Sequence, residues 1–126
     1  MTRKILLEKN IHPAIRSFVS NNNSDIVTEV QEAIANNKVV VIGMGQNPEP
    51  KKARKMLKKL GIEHAYLEYG NYFNTWYRRN ALKMWTGWPT FPMIFINGML
   101  IGGTEDLHRL IEEDEFSDLL KTSQAD

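Results

Sequence analysis

Trp88-Pro89-Thr90-Phe91-Pro92-Met93-Ile94-Phe95-Ile96-Asn97-Gly98-Met99-Leu100-Ile101-Gly102-Gly103 is the stretch on which the fold of this chain turns. Pro89 and Pro92 exclude a helix, and Met93 to Ile96 is a short, unbroken apolar run of the kind that forms a strand buried on both faces. Asn97-Gly98 is the strongest short-range signal for a two-residue hairpin, so Met99-Leu100-Ile101 reads as the returning strand. Gly102-Gly103 then ends it. Thr104 can cap a following helix, with Glu105 and Asp106 in the first turn and Leu107, Leu110 and Ile111 on the buried face.

Working upstream, Lys38-Val39-Val40-Val41-Ile42-Gly43 is β-branched and continuously apolar, which predicts a central parallel strand. Residues 43–49 make a loop rich in Gly, Asn and Pro. Pro50 suits the first turn of a helix that runs to Leu60 before Gly61, with Ala53, Met56, Leu57 and Leu60 facing inward. Residues 64–69 read as a second strand, and the intervening helix supplies the crossover that a parallel pair requires. Gly70-Asn71 turns the chain into a helix over about 73–85, stopped by Gly87 and Pro89. Phe116, Leu119 and Leu120 mark a last short helix.

The first 36 residues read as helical. One or two short helices cover residues 4–22, with Pro13 near a helix start and Ile5, Leu6, Ile11, Ile15, Phe18 and Val19 as the expected buried face. A further helix spans about 25–36, capped by Ser24 and carrying Ile26, Val27, Val30, Ala33 and Ile34 at helical spacing. This gives an N-terminal extension over residues 1–36 packing on a domain at 37–121, followed by a disordered tail at 122–126. The simplest role for the extension is structural. Partner docking would instead leave an exposed apolar stripe on residues 5–19.

The chain has 126 residues, 42% of them hydrophobic, which suffices for one core without disulfides. It contains no cysteine. No apolar run approaches the roughly 20 residues of a membrane span, and the stretch before Glu8 is too short for a secretory signal, so the expected location is cytoplasmic. His12, His64 and His108 are scattered, which argues against a metal site. The run Tyr72-Phe73-Asn74-Thr75-Trp76-Tyr77-Arg78-Arg79 interleaves aromatics with arginines, as single-strand nucleic-acid platforms do, but a net charge of +1 argues against that partner. A protein-binding surface fits these aromatics better. The sequence does not set the oligomeric state.

The order of elements, with Thr90-Phe91-Pro92 before the third strand and Gly102-Gly103 after the fourth, resembles the glutaredoxin version of the thioredoxin-like fold over about residues 38–112. Trp88-Pro89 is similar to the monothiol branch. The resemblance implies an α/β fold with a mixed four-stranded sheet flanked by helices, a cis Pro92, and a cleft for glutathione. It implies that Arg79 and Lys83 contact the glycyl carboxylate, that Phe91 and Pro92 pair with the extended peptide, and that Gly103, Thr104 and Glu105 hold the γ-glutamyl end.

In the family, the loop after the first strand carries one or two cysteines; the ungapped match here is Asn47-Pro48-Glu49-Pro50. Disulfide exchange needs a thiolate nucleophile and a sulfur leaving group, so neither Asn47 nor Pro50 supports it, and no thiolate is present to ligate an iron–sulfur cluster. The family's lysine before the cysteine is replaced by Met44 or Gly45. In physical terms, the start of the 50–60 helix with Lys51 and Lys52 is a candidate anion site. These readings point to a non-catalytic binding module for glutathione or a similar peptide end, requiring no cofactor. A protein adaptor with a vestigial cleft, or a transferase that activates the thiol of glutathione itself, are the alternatives.

Overall fold

A computed structural model describes residues 3–22, 24–45, 47–69 and 76–121, and the backbone alone of 76–78. The turn expected at Gly70-Asn71, most of the aromatic-arginine run and the tail at 122–126 lie outside the described residues.

Four strands form one mixed sheet in the order β2-β1-β3-β4. They are β1 (Val39–Gly43), β2 (Ala65–Glu68), β3 (Met93–Ile96) and β4 (Met99–Gly102). β1 runs parallel to β2, with Val41 opposite Tyr66, and antiparallel to β3, with Val41 opposite Ile94. The helices are α1 (Pro13–Asn21), α2 (Ser24–Asn36), α3 (Pro48–Lys59), α4 (Trp76–Thr86), α5 (Thr104–Glu112) and α6 (Phe116–Lys121). A short 3-10 turn, Glu8–Asn10, precedes α1.

The continuous apolar runs of β1 and β3 follow from a sheet covered on both faces. Val40, Ile42, Met93 and Phe95 point to one side, where Ile26 and Val30 of α2 and Ala81 and Leu82 of α4 complete a core. Trp85 stacks on Phe95 there, with centroids 6.2 Å apart. Val39, Val41, Ile94 and Ile96 point to the other side, against Ala53 and Leu57 of α3, Leu107 of α5 and Phe116 of α6. Asn97 and Gly98 both take positive φ, 49° and 79°, so the hairpin turn forms as its sequence demands.

Three local expectations are corrected. The face assigned to burial on residues 5–19 is solvent-exposed: Ile5 and Leu6 are 66% accessible and Phe18 is 69%. Both sheet faces already carry their helices, so α1 finds no place on the sheet and buries none of its residues. Leu60, expected inward, is 48% exposed, because α3 ends at Lys59 and its buried stripe is Pro50, Ala53 and Leu57. The third correction is the start of α3, which lies two residues earlier than Pro50 suggested. Asn47 is the N-cap, its side chain accepting from Glu49 N at 3.0 Å, and Pro48 takes the first helical position.

Beside α3, Arg54 lies over the Tyr66 ring at 4.2 Å and its Nε donates to His64 Nε2 at 3.4 Å. That bond needs an unprotonated Nε2, so Nδ1 carries the proton and faces Ile62 O. Burial first, with Arg54 and Lys58 adding repulsion, lowers the His64 pKa below 6.5. A lowered histidine pKa means the unfolded chain binds the proton more readily, so this contribution to stability is fully present above pH 6.5 and lost as pH falls through the folded value. His64→Gln should therefore flatten the decline of Tm on acidification below pH 6.5; an unchanged slope would remove His64 as its source.

Candidate functional site

The cleft forms where three chain segments meet: the start of α3, the loop leading into β3, and the start of α5. Local chemistry sets each of them. The Phe91–Pro92 peptide bond is cis. Thr86 Oγ1 accepts from Trp88 N at 3.1 Å and donates to Leu82 O at 2.8 Å, which anchors the loop to the end of α4. Gly103 is the N-cap of α5, and the Asp106 carboxylate returns to accept from Gly103 N at 2.9 Å. Thr104, read as a cap, instead donates its hydroxyl to Glu49 O at 3.0 Å and ties α5 to the first turn of α3.

These segments enclose a cleft of about 380 Å³ lined by Phe91, Pro92, Gly103, Thr104 and Glu105, together with Glu49. Five of the seven proposed ligand contacts are thus brought to one place. Arg79 is not among the lining residues, and is buried with 4% of its surface exposed. Lys83 is not among the lining residues either, but its Nζ lies 5.8 Å from the centroid of the Phe91 ring, where a cation meets the ring face. Trp88, Thr90 and Asp106 also line the cleft and were not assigned to it. Asp106 was legible as the carboxylate three residues after a helix cap, and Trp88 from its place beside the Thr-Phe-Pro turn.

The degenerate loop residues divide differently. Asn47 sits at the cleft end of α3, where its Nδ2 donates to Phe91 O at 3.3 Å while its Oδ1 caps the helix. Its side chain therefore occupies the carbonyl beside the cis bond. Pro50 is buried against β1, so close that a Cβ on Gly43 would fall 2.8 Å from its ring. Met44 is half-buried and Pro48 exposed.

This arrangement corrects the anion site expected at the start of α3. Pro48 and Pro50 have no N–H, Glu49 N bonds to the Asn47 side chain, and Asn47 N bonds to Met44 O at 3.3 Å, so none of the four donors at this helix start is left for an anion. Lys52 pairs with Glu49 at 2.9 Å instead of facing the cleft. At α5 the first-turn N–H groups of Thr104 and Glu105 have no acceptor within their helix. Among the described residues the lining carries three carboxylates, Glu49, Glu105 and Asp106, and no cation. Asp106 holds Gly103 N and lies 3.8 Å from Arg109, whereas Glu105 is exposed and forms no ion pair among the described residues.

The chain has known relatives. The glutaredoxin family profile matches residues 39–101. A glutaredoxin-like protein of Dictyostelium discoideum is 46% identical over 120 residues, covering 94% of this chain and 96% of that one. A probable monothiol glutaredoxin 2 of Rickettsia prowazekii is 35% identical over 97 residues, covering 73% of this chain and 88% of its own. The crystal structure of oxidized glutaredoxin 2 from Chlamydomonas reinhardtii superposes with a TM-score of 0.68 at 28% identity, covering 79% of this chain and 94% of that one. By sequence and by architecture alike, the chain belongs to the glutaredoxin family, and it does so without a cysteine.

Proposed function

We propose that this protein is a non-catalytic binding module for glutathione or a similar peptide end, gripping it chiefly by its free amino-acid terminus. The observation that carries this reading is the juxtaposition, in the cleft, of the first-turn N–H groups of α5, which have no acceptor within their helix, with the Glu105 carboxylate. Helix N–H groups favour a carboxylate and Glu105 favours an ammonium, so the two together suit a zwitterionic α-amino acid group. The γ-glutamyl end of glutathione has that form. The family's loop lysine is replaced here and Arg79 is buried, so the glycyl carboxylate is held weakly and affinity should be modest.

Because the chain has no thiol of its own, ligand sulfur cannot form a disulfide with it. Reduced glutathione and the tripeptide γ-glutamyl-alanyl-glycine should therefore bind with the same affinity. In a residue-resolved NMR titration with millimolar ligand, the amide signals of Phe91, Gly103 and Thr104 should shift saturably, and Tm should rise by mass action. Glu105→Gln should weaken the interaction. Signals that do not move would end the ligand reading, and a clear preference for glutathione over its alanine analogue would show that the sulfur is recognised. Hydroxyethyl-disulfide reductase activity should be blank in either case.

An adaptor role is the second reading, favoured by one observation: the exposed apolar side chains of α1 and the segment before it.

A further inference from the structure

Six large apolar side chains stand in solvent near the N-terminus: Ile5, Leu6 and Leu7 before α1, and Ile15, Phe18 and Val19 on it. Exposed leucines scattered singly need no explanation, but six large apolar side chains within fifteen residues are more than scatter. Four cations accompany them, Arg3, Lys4, Lys9 and Arg16, against one carboxylate, Glu8. The start of this arm is fixed to the body, since Arg3 Nη1 donates to Thr86 O at 2.9 Å at the end of α4. What the arm offers to a partner is therefore apolar and basic.

A surface of the opposite character lies elsewhere on the same chain. β4 is an edge strand, and between it and α5–α6 runs a groove of about 570 Å³. Met99, Leu100, Leu110 and Leu119 supply its apolar lining, and Met99 is 56% exposed. Glu113, Glu115 and Asp118 rim it, while Asp106 and Arg109 face each other across 3.8 Å and offset in charge. This groove is acidic where the arm is basic, and apolar where the arm is apolar. Edge strands with exposed apolar residues are surfaces that proteins ordinarily cover.

We infer that the N-terminal arm of one copy docks into the β4–α5–α6 groove of a second copy, and that the exchange is reciprocal. One arm is small against the roughly 1,200–2,000 Å² that a specific interface buries, and a two-fold exchange doubles the contact while closing the assembly as a dimer. Charge complementarity steers the encounter, and burial of Phe18 and its neighbours against Met99 and Leu119 holds it.

Sedimentation equilibrium over a range of concentration should show a monomer–dimer equilibrium that weakens as salt is raised. Phe18→Asp on the arm and Met99→Glu in the groove change exposed positions and should leave the circular dichroism spectrum intact, yet each should weaken dimerisation about tenfold or more. A monomer at every concentration would overturn the inference. So would loss of dimerisation with Phe18→Asp but not Met99→Glu. Binding of the monomer to phosphatidylserine vesicles, without self-association, would assign the basic apolar arm to a membrane surface instead.

Discussion

Asn47→Cys will turn a cleft that is inert towards oxidised glutathione into one that forms a stoichiometric mixed disulfide, read by intact mass. The parent chain has no sulfur nucleophile at all, so any adduct reports the new thiol. The substituted side chain starts from the N-cap of α3, at the position from which Asn47 now reaches Phe91 O across 3.3 Å. Losing the cap costs about 1 kcal/mol, which a domain of this size tolerates.

The same geometry predicts that this thiol will be sluggish. A helix start lowers a cysteine pKa through its free N–H groups, but here Pro48 and Pro50 have none and Glu49 adds a carboxylate to the first turn. The alkylation rate of Asn47→Cys should therefore rise with a midpoint near the ordinary thiol value of about 8.5. A midpoint below about 6 would mean that the start of α3 still activates a thiolate, contrary to its loss as an anion site. Turnover in the reductase assay should accordingly stay low even after the nucleophile is restored.

Arg79→Ala should lower Tm by roughly 10 °C, corresponding to about 3 kcal/mol, before any effect on ligand is considered. The reason is burial: at 4% exposure the guanidinium belongs to the interior, and removing it strips a charged group from an environment built around it. Lys83→Ala, at a half-buried position beside the Phe91 ring, should shift Tm by no more than about 2 °C. Glutathione affinity measured well below both transitions separates the two roles. If Arg79→Ala leaves Tm unchanged but abolishes binding, the guanidinium faces the ligand and its interior assignment fails.

Much of the architecture was legible because its signals are local. The unbroken apolar runs at 39–43 and 93–96 can be satisfied only by strands covered on both sides, and Asn97-Gly98 admits the left-handed backbone that a tight hairpin needs. The start of α3 was misread because two prolines compete for the first turn; the Asn47-Pro48 pair, cap followed by first helical residue, was the stronger signal. Thr104 was misread for a different reason. Its hydroxyl can serve its own helix or a neighbour, and only the approach of Glu49 O decides between them.

By itself, then, the sequence determined the sheet, its covering helices and the absence of a thiol, since periodicity, turn chemistry and residue identity need no knowledge of distant contacts. Tertiary structure decided which side chains reach the cleft. It withdrew Arg79 into the interior, turned the start of α3 from an anion site into a capped and proline-blocked end, and left the apolar face of α1 without a place on the sheet. Each of those outcomes depends on what already occupies the space around a residue, and occupancy is settled only when the whole chain is packed.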